Sequence, residues 1–435
     1  MKIMPFNCRG LAGPLKRPTL RRVIDLEHPD VLLLQETLGE VEVVKSKLEG
    51  MLPGWVFECL DVRGRSGGLA TGWNPRSVKV ENVWGMELVL GCSLSSIDIG
   101  EEITLLNIYG PYQDRIPFWE KNFNKDCIKG DSVIIGGDLN FSLGHSEVWG
   151  PQARVDILAE FFAQKLMDLN LIDIEPICLK PSWRNMRSGE SRVAKRLDRF
   201  LVADSLVDRH FLFRQWIGTG GQSNHFPIFL ELRKGPSKPA SPMKFNKVWL
   251  KDESFIKMIK DNWAPFDERA PLSASFQFAE NLKKLKGKIK SWSFSKRQRE
   301  DSELKQLEKD LSRIYESEGG GFRTQEEKEE LVRLEGRRNV LLKEKEETWR
   351  LKSRAVWLES GDENTKFFHA YAKGRKCANT IWKLEDPEGV VENSFEGLAR
   401  IGVSHFQNLF KASNQASIEE VVRLAQMFPG FRRRT

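Results

Sequence analysis

The side chains best suited to chemistry in this sequence stand at the ends of short apolar runs. The run Ile-Ile-Gly-Gly at 134–137 is followed by Asp138 and Asn140. Side chains two positions apart in an extended chain point the same way, so this carboxylate and this amide can reach one phosphate or one metal ion. The glycines allow a neighbouring backbone to approach closely. A plain turn after a strand explains Gly-Gly-Asp equally well, so the motif alone leaves both interpretations open.

Three other apolar runs have an acid or a histidine within them or beside them. Glu36 follows the apolar residues 31–34, Asp198 enters the apolar run 197–202, and His225 precedes the apolar run 228–230. Taken singly, a surface acid and a structural histidine are the better interpretations. A buried aspartate needs a partner, however, and a histidine paired with an aspartate gains a fixed tautomer and a more basic ring for proton transfer.

Seven such positions share one chemistry. Carboxylates hold a hard cation such as Mg²⁺, a histidine activates water, and amide and phenol groups bond phosphate oxygens as negative charge develops. The pattern therefore predicts a metal-dependent site for phosphoester chemistry. Its members are Asn7, Glu36, Tyr109, Asp138, Asn140, Asp198 and His225.

The elements that must position these residues are predicted to be mostly strands. The β-rich runs at 103–109 and 132–136 are bounded by Gly, Pro and Asp, whereas 157–171 has the apolar spacing of a helix. Strands interrupted by a few helices predict an α/β fold. Two packed sheets and one sheet flanked by helices are both compatible with this pattern.

Charge divides the chain into two parts. The sequence has 435 residues, with 68 Lys+Arg and 61 Asp+Glu. Residues 1–235 hold 29 basic and 30 acidic side chains, whereas the other 200 residues have a balance of +8. The Pro- and Ser-rich segment at this break is typical of an exposed linker. We predict domains at 1–233 and 243–435, joined by a linker at 234–242.

Composition excludes several protein classes. No apolar run approaches the ~20 residues that cross a bilayer, and the N-terminus lacks the apolar stretch of a secretory signal. The six cysteines are scattered without metal-binding spacing, which favours reduced thiols. The expected location is nuclear or cytoplasmic, and the protein is not expected to be secreted or membrane-bound.

The second half is predicted to be helical. Leucines spaced by three and four residues at 304–314 and 331–342 flank Gly319-Gly320-Gly321, which favours a helical hairpin at about 298–348. Thr324 and Glu327 have the spacing of a capping box for the returning helix. The run at 283–290 contains five lysines. It is compatible with a phosphate-backbone contact, a nuclear-import patch or a solvated helix face.

Six ordered motifs give the first half a family resemblance. They are Phe6-Asn7-Cys8-Arg9-Gly10-Leu11, Leu34-Gln35-Glu36-Thr37, Asn107-Ile108-Tyr109-Gly110-Pro111, Gly136-Gly137-Asp138-Leu139-Asn140, Leu197-Asp198-Arg199 and Ser223-Asn224-His225. Together they resemble the endonuclease/exonuclease/phosphatase superfamily. The chain more closely resembles the N-terminal part of plant non-LTR (LINE-type) retrotransposon polyproteins. Residues 357–369 resemble the Trp-Leu-x-x-Gly-Asp-x-Asn-Thr-Lys-Phe-Phe-His signature of the region that precedes their reverse transcriptase.

The resemblance implies a fold and a reaction. The implied fold is a four-layer α/β sandwich, with two packed mixed sheets flanked by helices, followed by a mainly helical basic appendage. The implied activity is Mg²⁺-dependent DNA nicking, with Mn²⁺ as a second metal, which leaves the 3′-hydroxyl that primes reverse transcription. DNA is the implied partner, and RNA is a second one for the basic C-terminal region. Because the chain has no Tyr/Phe-x-Asp-Asp motif, a truncated retroelement protein without polymerase activity is expected.

The resemblance also assigns metal ligands. Glu36 is the implied principal ligand, and Asn7 helps to order the metal site. The family usually has Ser-Asp-His where this chain has Ser223-Asn224-His225. Asn224 keeps an oxygen that can bind a metal but lacks the charge, so weaker Mg²⁺ binding and reduced activity are expected.

The remaining implied roles concern the reacting phosphate. His225 acts on water or phosphate, and Asp198 orients its ring. Asp138 aligns the nucleophile or the leaving group. Asn140 binds phosphate, and Tyr109 contacts the scissile group.

Two loops, at about 141–155 and 180–195, are expected to set the DNA target. The second has a basic character that suits DNA phosphates, through Arg184, Arg187, Arg192, Lys195 and the adjoining Arg196.

Two alternatives remain open at this stage. An inactive nucleic-acid-binding remnant is favoured by Asn224 and the missing polymerase motif, and a phosphatase of small phosphoesters shares the core motifs. Pro5 is a further departure from the family, since a proline removes a ladder hydrogen bond and is disfavoured in a central strand.

Overall fold

The structure is a computed structural model that describes residues 1–63, 66–124, 128, 130–219, 222–235, 245–267, 273–315, 325–353 and 365–411. The expected linker beyond Gly235, the glycines at 319–321, Thr324 and most of the 357–369 motif lie outside the described residues. The chain divides into two units, Met1–Asn379 and Thr380–Thr435.

Strands dominate the first 235 residues, and helices dominate the rest. The strands are β1 (Lys2–Asn7), β2 (Val31–Gln35), β3 (Val56–Arg63), β4 (Ser66–Trp73), β5 (Val78–Met86), β6 (Val89–Ser96), β7 (Ile103–Tyr109), β8 (Val133–Asp138), β9 (Val148–Trp149), β10 (Leu171–Asp173), β11 (Trp183–Arg184), β12 (Ala194–Lys195), β13 (Asp198–Ala203), β14 (Phe211–Ile217), β15 (Ile228–Lys234), β16 (Leu384–Glu385) and β17 (Val391–Glu392). The α-helices are α1 (Lys16–Glu27), α2 (Val41–Met51), α3 (Arg115–Phe123), α4 (Ala159–Asp168), α5 (Asp204–Asp208), α6 (Glu253–Asn262), α7 (Ala274–Tyr315), α8 (Gln325–Ser353), α9 (Thr365–Ala378) and α10 (Phe395–Lys411).

Two six-stranded mixed sheets form the centre of the first unit. The first sheet has the order β14-β15-β1-β2-β4-β3 and the second has the order β10-β13-β8-β7-β6-β5. Each contains one parallel pair, β1 with β2 and β7 with β8. In the first sheet, alternate residues of β1 and β2 belong to different cores, as the two-residue period of a strand requires.

Helices cover the outer face of each sheet. Leu20 of α1 and Leu48 of α2 pack with Leu32 and Leu34 on the outer face of the first sheet. On the second sheet, Trp119 of α3 packs against Phe162 of α4 at a ring separation of 5.9 Å. The predicted four-layer α/β sandwich with a helical C-terminal region is therefore confirmed.

Pro5 lies in a central strand, where a proline is disfavoured. β1 pairs in parallel with β2 from Ile3 to Asn7, including Pro5 opposite Leu33. Its antiparallel pairing with β15 covers only Lys2 and Ile3. The missing N–H therefore falls in a stretch of β1 that forms no ladder with β15, which explains how the fold accommodates Pro5.

The long helices of the C-terminal half pack in two places. α7 and α8 meet through a leucine cluster that includes Leu307, Leu311, Leu331, Leu334 and Leu341. The N-terminal part of α7 packs on α6 through Leu285, Ile289 and Phe255. These contacts bury the regularly spaced apolar residues of the second half.

Helix α9 docks on the sandwich itself. Cys377 is buried in the core shared with the second sheet. Lys373 Nζ lies 2.6 Å from Asp204 Oδ2 and 2.7 Å from Asp208 Oδ2, both on α5. A segment of the C-terminal half thus packs as part of the first unit, while the domain boundaries stay a prediction.

The described part of the second unit, which ends at Lys411, contains the β16–β17 hairpin followed by α10. Arg400 of α10 forms an ion pair with Glu392 of β17. Among the described residues, no helix is long and apolar enough to cross a membrane. The five cysteines in the described part of the chain are free, and Cys127 lies outside it.

Candidate active site

The ends of six strands meet at one edge of the sandwich. The first sheet brings the C-terminal ends of the parallel strands β1 and β2 together with the residues before β15. The second sheet brings the C-terminal ends of β7 and β8 together with the start of β13. The residues at these ends are Asn7, Glu36 and His225 from the first sheet, and Tyr109, Asp138 and Asp198 from the second.

A histidine lies between two buried carboxylates. Asp198 and Asp138 are directly opposed partners on β13 and β8. His225 Nδ1 lies 3.0 Å from Asp198 Oδ2, and its Nε2 lies 3.5 Å from Asp138 Oδ2. All three side chains are buried. The ring is thus held by one carboxylate while its other nitrogen faces the second.

Asn7 links that group to Glu36. Asn7 Nδ2 donates hydrogen bonds to Asp138 Oδ2 at 2.8 Å and to Glu36 Oε1 at 2.9 Å. The Tyr109 hydroxyl donates to the same Glu36 oxygen at 2.7 Å. Among the described residues, no hydrogen bond reaches Glu36 Oε2. One glutamate oxygen is therefore fixed, and the other is left for a ligand.

Two site residues adopt the left-handed backbone conformation. Glu36 has a φ of 49° and Asn140 a φ of 55°, and such strain in residues other than glycine concentrates at functional sites. Asn140 is held in place because its Nδ2 donates to the carbonyl of Gly110 at 2.6 Å. Three residues earlier, the close approach of the β7 backbone requires a glycine at position 137, since a Cβ there would lie 2.0 Å from the Ile108 carbonyl oxygen.

Burial and mutual repulsion shift the pKa values of the site. Burial lowers the pKa of His225, but the charges of Asp198 and Asp138 outweigh it and raise the pKa to about 9. Burial raises the pKa of Asp138, and the neighbouring Asp198 adds to that effect. Burial also raises the pKa of the Tyr109 hydroxyl, as does the adjacent Glu36. Tyr109 therefore acts as a hydrogen-bond donor at neutral pH.

The donor set fits a hard divalent cation. Carboxylate and amide oxygens are the ligands that Mg²⁺ uses, and Glu36 Oε2 is available for one. The buried Oδ1 of Asn224 has no hydrogen-bond partner among the described residues, and a buried polar atom of this kind requires a partner. Asp138, Asp198 and His225 also offer ligand atoms within 4.8 Å of one another. In that trio, however, the closest contact is the bond between His225 and Asp198.

The two expected specificity loops meet in one small sheet. β9 from the first loop pairs with β12 from the second, and β12 pairs with β11. This sheet joins the site, because Trp183 bridges to His225 and the Arg184 amide donates to the Asn224 carbonyl at 2.9 Å. Arg184, Arg187 and Arg192 are exposed, and Lys195 is half-buried.

Arg196 does not fit the sequence prediction that it contacts DNA. Its side chain is only 1% exposed, and its guanidinium is bonded to Glu147 and Asp173. A buried arginine in two ion pairs has no surface to offer a phosphate. The basic character of the loop therefore comes from the other four residues.

Sequence reasoning missed several supporting residues. Ser182 Oγ accepts hydrogen bonds from the amides of Leu197 at 3.0 Å and Asp198 at 2.9 Å, and it is far from them in sequence. The Ser223 hydroxyl donates to the Asn7 carbonyl at 2.8 Å. The position of Ser223 in the Ser-Asn-His motif is the sequence signal that could have identified this role.

A buried amide pair links the sheets beside the candidate site. Gln35 Nε2 donates to Asn107 Oδ1 at 2.7 Å. Gln35 precedes Glu36, and Asn107 is two residues before Tyr109, so the pair couples the two strands that deliver those side chains. Both residues stand within motifs that the sequence displays.

Comparisons with known proteins give one family match. Residues 6–220 match the Endonuclease/Exonuclease/phosphatase family.

Two curated proteins are similar over much of the chain. "Transposon TX1 uncharacterized 149 kDa protein" of Xenopus laevis is 24% identical over 325 residues, which cover 72% of this chain and 24% of that protein. "Recombination repair protein 1" of Drosophila melanogaster is 28% identical over 263 residues, which cover 52% of this chain and 36% of that protein. The chain thus spans about a quarter to a third of the length of these relatives.

A solved structure is also similar. It is titled "Endonuclease domain of TRAS1, a telomere-specific non-LTR retrotransposon", and it is 16% identical to this chain with a TM-score of 0.42. The match covers 53% of this chain and 98% of that one.

Proposed function

We propose that this protein is a metal-dependent endonuclease that nicks DNA, and the match of residues 6–220 to the endonuclease/exonuclease/phosphatase family supports this proposal. The observation that carries the proposal is the placement of His225 between Asp198 and Asp138, at 3.0 Å and 3.5 Å, beside Glu36. One proton carrier and several carboxylates converge there from both sheets. Phosphodiester hydrolysis can use this combination for proton transfer and metal binding.

The metal would be held by Glu36 and Asn224, with Asn7 ordering the site. Glu36 has an oxygen without a described partner, and Asn224 has a buried one. When bound, Mg²⁺ or Mn²⁺ neutralises charge on the phosphate and lowers the pKa of water. Asn7 donates to both Glu36 and Asp138, so it fixes the metal carboxylate relative to the proton-transfer group.

The side chains of this protein account for the rest of the reaction. A water oxygen bonds to phosphorus as the bond from phosphorus to the 3′-oxygen breaks. The proton lost by that water goes to Asp138 Oδ2, and the leaving 3′-oxygen takes a proton from a solvent water, whose hydroxide is neutralised when Asp138 releases its proton. His225, which is protonated at neutral pH, offers its Nε2–H to a phosphate oxygen. Asp198 keeps the ring oriented throughout. Asn140 donates the second N–H of its amide to a phosphate oxygen, where negative charge increases. Tyr109, whose hydroxyl proton bonds Glu36, holds that carboxylate beside the scissile group.

DNA is the proposed substrate because of the surface beside the site. Arg184 lies in the small sheet that contacts His225, and Arg187 and Arg192 lie in the connection from β11 to β12. All three are exposed, and arginine suits bidentate contact with phosphate. The name of the Xenopus relative, a transposon protein, supports an origin in a retroelement. These observations favour DNA over a small phosphoester.

An inactive nucleic-acid-binding remnant is the second candidate. The observation that favours it is Asn224, which supplies an uncharged oxygen where the family's motif has a carboxylate. A weakened metal site with intact packing would leave the DNA surface in place and remove the activity.

A nicking assay on supercoiled plasmid tests the proposal. The native chain is compared with Glu36→Ala and Asn224→Asp, with Mg²⁺ and with Mn²⁺, and para-nitrophenyl phosphate is tested beside the plasmid. We expect nicking that requires a metal and Glu36. Plasmid binding with no nicking by the native chain or by Asn224→Asp would support the remnant, and preferential hydrolysis of para-nitrophenyl phosphate would support a phosphatase.

We also propose that α7 binds a nucleic-acid backbone, with RNA as the sequence-predicted partner. The stretch 282–299 contains eight basic residues and no acid. Lys286, Lys290 and Arg297 lie on one exposed side of the helix, roughly a quarter turn from the side that packs on α6 through Leu285 and Ile289. Among the described residues, these three cations have no ion-pair partner.

The salt dependence of binding tests this second surface. Replacing Lys286, Lys290 and Arg297 with Gln should reduce the slope of log affinity against log salt by roughly 2–3 for duplex DNA and by less for single-stranded RNA. The matched control is Lys328, Arg333 and Lys343 to Gln on α8, where acidic neighbours surround the cations. Equal slopes in the two triple variants would contradict a specific role for α7.

A further inference from the structure

Two arginines and two acids form a buried charge network beside the active site. Arg196 and Arg199 are 1% and 0% exposed, and Glu147 is 7% exposed. Arg196 Nη1 lies 2.7 Å from Glu147 Oε1 and 2.7 Å from Asp173 Oδ2. Arg199 pairs with the same two acids. The two positive and two negative charges balance, which is the condition under which such groups can be buried.

The network connects the two chain segments that hold the site aspartates. Arg196 and Arg199 flank Asp198 at the start of β13. Glu147 belongs to the loop that follows Asp138 and Asn140, and its Oε2 accepts the Leu143 amide at 2.6 Å.

Further contacts fasten the loop to the start of β13. Arg199 Nε donates to the Phe141 carbonyl at 3.2 Å, and the Arg196 amide donates to the Glu147 carbonyl at 3.0 Å. Arg199 also lies over the Phe141 ring, 5.0 Å from its centre. The loop after Asp138 is therefore clamped to the strand that begins at Asp198.

The same network reaches the proposed DNA-binding sheet. Arg196 directly follows Lys195 of β12, and Glu147 directly precedes β9, with which β12 pairs. Displacement of Glu147 would thus shift the site loop and the basic sheet together. None of the four network residues has an exposed group that could contact DNA, so their effect on the reaction must be indirect.

We propose that Glu147 and Arg199 are positioning residues for phosphodiester hydrolysis, which hold Asp138 and Asn140 in register with Asp198 and His225. This inference rests on the proposed nuclease function. It differs from a purely structural role because a positioning residue lowers the rate of the chemical step in protein that is still folded and still binds DNA.

The experiment uses the full chain with Glu147→Gln and Arg199→Lys. Gln keeps the shape of Glu but lacks its charge, and Lys keeps the charge of Arg but lacks its planar fork. We expect kcat for nicking to fall roughly 10–100-fold, as on loss of residues that orient a metal site, while KM and metal-free DNA affinity stay within about twofold. If Glu147→Gln fails to fold, the kcat of Arg199→Lys by itself tests the positioning role.

A control and a metal-free readout complete the test. Lys373→Met removes a partly buried ion pair on α9 that contacts α5 rather than the site, and it should lower stability without changing kcat. Amide hydrogen exchange of 139–143 and 196–198, without metal, should quicken in the Glu147 and Arg199 variants but not in Lys373→Met.

The outcomes separate the two proposals. An unchanged kcat, or a loss of kcat matched by Lys373→Met at equal loss of stability, would overturn the positioning role. If the native chain does not nick DNA, the proposed function fails, and hydrogen exchange then decides alone. Faster exchange confined to the two segments would support the clamp between them, and unchanged exchange would refute it.

Discussion

Asp138 and Asp198 are directly opposed partners on the antiparallel strands β8 and β13, and the ring of His225 lies against both carboxylates. Two buried acids at such a position repel one another unless a cation or a shared proton intervenes. A histidine from the other sheet supplies that positive charge. The relationship therefore depends on the packing of the two sheets as much as on either strand.

Replacing Asp198 with Asn should strongly reduce the rate of nicking while leaving the fold intact. The amide has no negative charge and can present an N–H as well as an oxygen to His225 Nδ1, so the ring loses the partner that raises its pKa and fixes its tautomer. We expect kcat to fall roughly 10²–10⁴-fold, the range of proton-transfer catalysis. Single-turnover nicking measures it. His225→Gln serves as the companion variant, and fully additive losses in the double variant would argue against a coupled pair.

Removing the charge of Glu36 should abolish metal-dependent activity. Glu36→Gln keeps the oxygen that accepts from Tyr109 and Asn7 but weakens the proposed metal ligand. Nicking should drop at least about 100-fold at fixed Mg²⁺, a loss at the upper end of that seen for changes around metal sites. Glu40→Gln, four residues on at the start of α2, is the matched control and should nick normally. Equal activity in both variants would remove Glu36 from the site.

Restoring a carboxylate at position 224 should strengthen metal binding. Asn224→Asp adds a negative charge at an oxygen that has no described partner, and ligand charge increases affinity for divalent cations. The Mg²⁺ concentration for half-maximal nicking should fall by about tenfold. Asn224→Leu, which removes the oxygen, should raise it. A titration curve unchanged in both variants would place the metal elsewhere.

Arg187 and Arg192, which lie in the connection from β11 to β12, are expected to contribute to the affinity for DNA. Charge reversal at Arg187 and Arg192 should weaken duplex binding, and it should reduce the salt dependence by roughly 1 for each phosphate that the variant no longer neutralises. Fluorescence anisotropy without metal measures both effects. Reversal at Arg21 and Arg22, which lie on α1, provides the control. Unchanged affinity after reversal at Arg187 and Arg192 would exclude this loop from the interface.

Acid should destabilise the fold through Glu147. Burial raises the pKa of Glu147, but the charges of Arg199 and Arg196 outweigh it and lower the pKa from 4.5 to about 2. A carboxylate whose pKa is lower in the folded protein stabilises the fold above its unfolded pKa, and this stability is lost as pH falls toward about 2. A shift of this size corresponds to on the order of 3 kcal/mol.

Urea unfolding between pH 7 and pH 2.5 measures that loss. Glu147→Gln should be less stable at pH 7, and its stability should fall less steeply below pH 4.5 than that of the native chain. A variant with the native pH profile would show that Glu147 does not carry the acid sensitivity.

The amino-acid pattern alone predicts the local elements and most of the chemical groups of the candidate site. The expected strand at 103–109 coincides with β7, and the expected helix at 157–171 contains α4. These predictions succeed because apolar periodicity and turn residues act over a few neighbours. The ordered motifs likewise placed Glu36, Asp138, Asp198 and His225 at strand ends before any contact was known.

Which of these groups meet, and which side chains are buried, depends on contacts between residues that are distant in the chain. Arg196 stands in a basic loop and looked accessible, yet Glu147 and Asp173, which are 49 and 23 residues away, neutralise and bury it. Pro5 falls in a central strand, where the pairing with β15 simply stops before it. Contacts between residues far apart in the chain depend on how two sheets pack face to face, and the local pattern of either sheet does not contain that information.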